Sequence, residues 1–127
     1  MKSVIAVCSL LVATIAAAPL ETRDAPSVTF ALSNDRSGAY AGASFSADGT
    51  DKTIASLFGT SSVASGGQIR ATSAQLTAFP QTISCVLKNN GATVTTFTAQ
   101  HTYFDLDGNP SAATPVDVTG AVINCHA

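Results

Sequence analysis

Thr82-Ile83-Ser84-Cys85-Val86-Leu87-Lys88-Asn89-Asn90-Gly91-Ala92-Thr93-Val94-Thr95-Thr96-Phe97 carries the pattern that decides the fold. Ile83, Cys85 and Leu87 alternate with Ser84, Val86 and Lys88, the period of a strand with one buried face. A threonine-rich run from Thr93 to Gln100 follows, β-branched and suited to a pleated surface. Asn90-Gly91 joins the two, and both residue types tolerate positive φ, so the stretch is a β-hairpin. Two registers are open. A two-residue turn sets Leu87 opposite Val94. A three-residue turn with a bulge at Gly91 sets Ile83 opposite Phe97, and is preferred because it pairs two large apolar side chains.

The same grammar extends outward in both directions. Upstream, Val28, Phe30 and Leu32 alternate with Thr29, Ala31 and Ser33, followed by the turn cluster Asn34-Asp35-Arg36-Ser37-Gly38. Tyr40 to Phe45 is a weaker strand diluted by Gly42, and Ala47-Asp48-Gly49-Thr50 reads as a turn. Ile54, Leu57 and Phe58 then fall at i, i+3 and i+4, which predicts one short helix of roughly two turns, capped by Thr50 or Asp51 and closed by Gly59. Ser61 to Gly67 is a small-residue loop. Gln68 to Leu76 is a strand of mixed quality, broken at Phe79-Pro80-Gln81. Downstream, Thr102-Tyr103-Phe104 leads into the polar turn Asp105-Leu106-Asp107-Gly108-Asn109-Pro110. Short closing strands over Pro115–Val118 and Ala121–Cys125 flank Thr119-Gly120. Seven to eight short strands with regular turn signals predict an all-β domain, a small β-barrel or β-sandwich with one short helix.

The first residues set the compartment. Met1-Lys2-Ser3 places a charge ahead of an apolar run from Val4 to Ile15, then Ala16-Ala17-Ala18. An apolar core too short to span a bilayer, followed by small residues, predicts a signal peptide over 1–17. Cleavage directly before Pro19 is disfavoured, so the expected cut follows Ala17. Residues 18–26 read as a flexible leader, a solvated tail being favoured over trimming after Arg23, and 27–127 as a secreted β domain. Loss of Cys8 leaves Cys85 and Cys125 as the only cysteines. In an oxidising compartment they pair in a single disulfide. If both face inward, the bond lies at the edge of the core and staples the final strand. By the chain-entropy estimate, closing a loop of that length is worth about 4 kcal/mol.

Composition excludes several function classes. Without Lys2 the six basic residues become five against eight acidic ones, moving the net charge from -2 to -3. Arg36, Lys52, Arg70 and Lys88 are scattered, so no basic stripe meets a nucleic-acid backbone or an anionic membrane, and no amphipathic cationic segment inserts into one. With no tryptophan and 6% aromatic residues, the overall composition is not that of a carbohydrate-binding face. Asp105-Leu106-Asp107-Gly108-Asn109 has clustered oxygens, but its spacing fails the helix-loop-helix calcium motif, leaving a turn. His101 with Asp105 or Asp107 and a serine is not a triad pattern, because no serine sits in Gly-x-Ser-x-Gly. His126 is penultimate and expected to fray. These readings predict no catalytic residue, no metal and no cofactor. An interior filled by side chains is favoured over a barrel cavity.

A resemblance covers most of the chain from Ser27 to Cys125. It is carried by Ser27-Val28-Thr29-Phe30-Ala31-Leu32-Ser33-Asn34-Asp35 with Ser37-Gly38-Ala39, Asp48-Gly49-Thr50, and Ile54 to Ser61. It continues through Ala71 to Gln81, Leu106-Asp107-Gly108-Asn109-Pro110 and Val122-Ile123-Asn124-Cys125. These stretches resemble small secreted fungal proteins of the hypersensitive-response-inducing elicitor type. The resemblance implies a compact β-barrel-like domain, secreted into the apoplast by a plant-associated fungus and detected by plant immunity through contact with a host protein or receptor. It supplies no catalytic residues. The alternative is an extracellular ligand-binding or cell-wall-associated β domain. Recognition residues are expected on the loops Asn34–Gly38, Ser61–Gly67 and Asp105–Pro110.

Overall fold

The computed structural model describes residues 25–109, 111 and 113–127. The signal peptide and most of the leader expected from the sequence, Arg23 included, lie outside the described residues. Eleven strand segments and one helix follow in order: β1 (Ser27–Asn34), β2 (Ala39–Ser46), β3 (Asp48–Thr53), α1 (Ile54–Phe58), β4 (Ala64–Ser65), β5 (Gln68–Ala71), β6 (Ser73–Ala78), β7 (Ser84–Asn89), β8 (Ala92–Thr98), β9 (Tyr103–Asp105), β10 (Val116–Asp117) and β11 (Ala121–His126). They form three open, antiparallel sheets with orders β2-β1-β6-β9, β10-β5-β4 and β3-β11-β7-β8. The sheets do not close on one another, so of the two architectures read from the sequence the barrel is replaced by a sandwich-like fold. The strand count exceeds seven to eight because Asp48–Thr53 is strand, Ala64–Ser65 forms the two-residue β4, and the run Gln68–Leu76 divides into β5 and β6.

The core lies between the faces. Val28, Phe30 and Leu32 of β1 are fully buried, as their alternation predicts. The Phe30 ring meets Phe97 of β8 edge-on at 5.6 Å and Phe58 of α1 at 6.2 Å, the arrangement the ring quadrupoles favour. These three rings, with Ile54, Leu87 and Ile123, fill the interior with side chains.

The hairpin corrects the preferred register. Asn89 lies opposite Ala92, and Asn90 and Gly91 have φ of 55° and 83°, so the turn has two residues. Continued unbroken, that register would turn Phe97 to solvent, since a one-residue slip exchanges the faces of a strand. A bulge at Val94 restores it: Lys88 pairs Thr93, then Leu87 pairs Thr95 and Cys85 pairs Phe97. Ile83 is therefore not the partner of Phe97, although both face the core.

Three other expectations shift. Asp48–Thr53 is strand, not turn and helix start, because Asp51, Lys52 and Thr53 pair with Asn124, Ile123 and Val122 of β11. The helix cap moves to Thr53, whose hydroxyl accepts the Ser56 N–H at 3.2 Å. The run Gln68–Leu76 splits at Thr72, sending β5 and β6 into different sheets. His126 does not fray but ends β11, opposite Ser84 and Asp48.

Cys85 and Cys125 are direct cross-strand partners in β7 and β11, with Cα atoms 4.0 Å apart, and they are disulfide-bonded. Both are buried. The bond sits within the core rather than at its edge, tying together two central strands of one sheet.

Candidate recognition surface

Thr72 is where two of the three loops meet, and Arg70 beside it holds the third. It is 2% exposed, with a polar side chain that needs partners. Its N–H donates to the Ser33 carbonyl at 2.7 Å, and its hydroxyl accepts the Asp35 N–H at 3.1 Å. Its own carbonyl accepts the Leu106 N–H at 2.9 Å. The Asn34–Gly38 turn and the Asp105–Asn109 turn are thus tied to one buried residue. Two residues earlier, in β5, the Arg70 carbonyl accepts from the Asn34 amide and the Arg70 N–H donates to the Val63 carbonyl, bringing in the Ser61–Gly67 segment.

Local chemistry holds each loop in shape. Asn34 Oδ1 accepts the N–H groups of Arg36 and Ser37, and Gly38 N–H returns to the Asn34 carbonyl at 2.8 Å. Ala64-Ser65 and Gln68-Ile69 pair across Gly66-Gly67, so the segment read as a plain loop contains a small hairpin. Asp107 Oδ1 accepts the Asn109 N–H at 3.0 Å and Oδ2 the Thr114 N–H at 2.9 Å. Between the first two loops lies a groove of about 530 Å³ whose walls carry Asn34, Ser37, Ser62, Ser65, Gln68 and Arg70. Its lining mixes hydroxyls, amides and one guanidinium with the apolar Val63 and Ala64, the guanidinium being bonded to Gln68 Oε1 at 2.6 Å.

The acids behind this surface divide a proton. Asp105 is pushed up from its ordinary value, first by its hydrogen bond with Asp107, then by desolvation. Asp107 is held down by that bond and by the backbone N–H groups of Thr114 and Asn109. In the acidic range where Asp105 holds its proton, it donates to the Asp107 carboxylate. Both oxygens of Asp107 already accept backbone hydrogen bonds, which is turn chemistry. No group of three or more His, Cys, Asp or Glu among the described residues is arranged to hold a metal ion.

His101 lies elsewhere. Its ring stacks on Phe97 at 6.3 Å, and Nε2 is 3.5 Å from Thr95 Oγ1. Its hydrogen-bond partner is thus Thr95, whereas that of Asp105 is Asp107. Among the described residues no helix is long and apolar enough to cross a membrane. The groove and its Thr72 anchor were missed in the sequence, because neither shows a local motif; only turn residues near Asn34, Ser61 and Asp105 marked the surface. Comparison of the chain with family models, curated proteins and solved structures found no match.

Proposed function

We propose that the protein is a secreted, non-enzymatic effector or elicitor that plant immunity recognises through direct contact with its folded loop surface. The observation that carries this reading is the convergence of three separate loops on Thr72 and Arg70, with a mainly polar groove between two of them. Recognition by protein contact needs shape held by a scaffold, and a core-buried disulfide with a filled interior supplies one. The disulfide also suits an extracellular setting. The sequence resemblance to fungal elicitors names the partner class, a host receptor or target protein. Arg70 is the residue best placed to anchor such a contact, since arginine supplies planar, multidentate hydrogen bonding at interface centres.

The test is infiltration of purified protein lacking the signal peptide into leaves, with the oxidative burst and cell death scored against dose. Arg70→Ala, an exposed change that leaves the core untouched, should raise the half-effective dose about tenfold or more. An inert native protein across several plant species, or full potency of folded Arg70→Ala together with Ser62→Ala and Gln68→Ala, contradicts the reading.

A further inference from the structure

Tyr40 and Tyr103 are the exposed large hydrophobic residues of the described chain, at 54% and 52%. Residues directly opposite each other in an antiparallel sheet share a face. The register therefore places both tyrosines on the outer face of the sheet β2-β1-β6-β9, in two adjacent rows. One row reads Tyr40, Ser33, Ser73, Asp105; the next reads Gly42, Ala31, Gln75, Tyr103. The tyrosines stand at opposite corners, on strands three spacings apart, about 14 Å across the sheet.

The floor between them is low and polar. Gly42 and Ala31 add almost no height. Ala31 itself is 1% exposed, so the accessible floor is made by the residues around it. Ser33 and Gln75, both half-buried, offer a hydroxyl and an amide, while Ser73 is buried; Thr29 Oγ1 with Ser44 Oγ, 2.8 Å apart, continues the hydroxyl surface beyond. No lysine or arginine stands in either row. Asp105, at one corner, is the sole acid there. The rest of the two rows carries no charged side chain, so the complement of the floor is an uncharged partner. A polyanion finds no cation here, and a protein partner finds too little continuous apolar area.

We propose that this face binds an uncharged polysaccharide chain lying diagonally across the sheet, with Tyr40 and Tyr103 against the apolar faces of sugar rings and Ser33 and Gln75 bonded to hydroxyls. Tyrosine suits that role because its ring is apolar and its hydroxyl stays wet. The inference stands apart from the loop-borne recognition above and gives the ligand-binding alternative a ligand class. Composition, with no tryptophan, counts against a carbohydrate face; the placement of two of the few aromatic residues on one surface counts for it.

The experiment is calorimetric titration of the protein lacking its signal peptide with laminarihexaose, cellohexaose and chitohexaose, with polygalacturonate as the charged comparator. Binding to at least one neutral hexasaccharide, unchanged between low and high salt, is expected. Tyr40→Ala and Tyr103→Ala should each weaken it about tenfold. Lys88→Ala, on another sheet, should leave it unchanged. Both tyrosine variants keep the core, and matched thermal melts verify folding. Binding to no neutral hexasaccharide overturns the proposal. So does preference for polygalacturonate, indifference to the double tyrosine variant, or self-association through this face that Tyr40→Ala abolishes. The oxidative burst is scored separately, so failure here is distinguishable from failure of the elicitor reading.

Discussion

Thr72 shows how much one side chain can hold. In sequence it is one of several small polar residues between Ile69 and Leu76, with nothing to single it out. In the structure it separates two sheets, and its hydroxyl and backbone serve β1, the first turn and the Asp105 turn. Thr72→Val keeps the shape and removes the hydroxyl, stranding the Asp35 N–H. A loss of about 1–3 kcal/mol is expected from urea unfolding. A change within error would mean that Asp35 finds water instead. The Asp105–Asp107 pair was legible only as a turn, since proton sharing depends on geometry that spacing does not encode. The raised group, Asp105, stabilises the fold in acid and loses that contribution as pH rises through its elevated pKa. The lowered group, Asp107, contributes above the ordinary carboxylate range and loses it as pH falls through its depressed value. The turn is therefore tightest in the acidic interval between them. Protection factors at Gly108 and Asn109, which divide out the intrinsic base-catalysed rise, should fall toward neutral pH, and Asp105→Asn, whose amide keeps a donor toward Asp107, should flatten that fall. An unchanged profile in the variant would contradict the shared proton.

Two glycines separate conformation from space at the scale of elements. Gly91 has φ of 83° with nothing within 4 Å of an added Cβ, so Gly91→Ala meets only backbone strain, about 1–2 kcal/mol. Gly59 ends α1 at φ -60°, an ordinary conformation, but an added Cβ would stand 2.5 Å from the Ala55 carbonyl oxygen. Gly59→Ala must therefore push the helix end aside, about 1–3 kcal/mol by the usual cost of overpacking. Thermal melts of the two variants read both costs. The sequence announced Gly59 as a helix stop without revealing that the reason is room. Strands with their own alternation, β1 and β7, were legible, as was the Asn90-Gly91 turn. The bulge at Val94 was not, because it answers a demand from outside the hairpin: Phe97 must face Phe30. β3 was hidden for a related reason. Asp48 to Thr53 is polar throughout and becomes strand only because β11 offers its edge, with the Asn124 amide donating to both the Gly49 carbonyl and Asp51 Oδ1 at 2.9 Å.

Across the whole molecule the single disulfide joins residues 40 apart in sequence through neighbouring central strands. The cysteine count alone specified the partner, though not that the bond would be buried among Phe97, Leu87 and Ile123. Cys85→Ala with Cys125→Ala should cost about 2–5 kcal/mol, measured by denaturant unfolding. What no local pattern foretold was the assembly of distant residues onto shared surfaces, the three loops around Thr72 and Arg70, and the two tyrosines on one sheet. Both arise from strand order, which periodicity does not encode. The central claim is that plant recognition reads this assembled surface rather than a linear stretch of chain. The oxidative burst in leaf tissue, measured side by side for the native protein and for the same preparation reduced, alkylated and unfolded, tests it most directly. The account predicts a dose-dependent burst from the native form and none from the unfolded one. Equal potency of the two forms would contradict it, because the signal would then lie in a peptide and not in the fold.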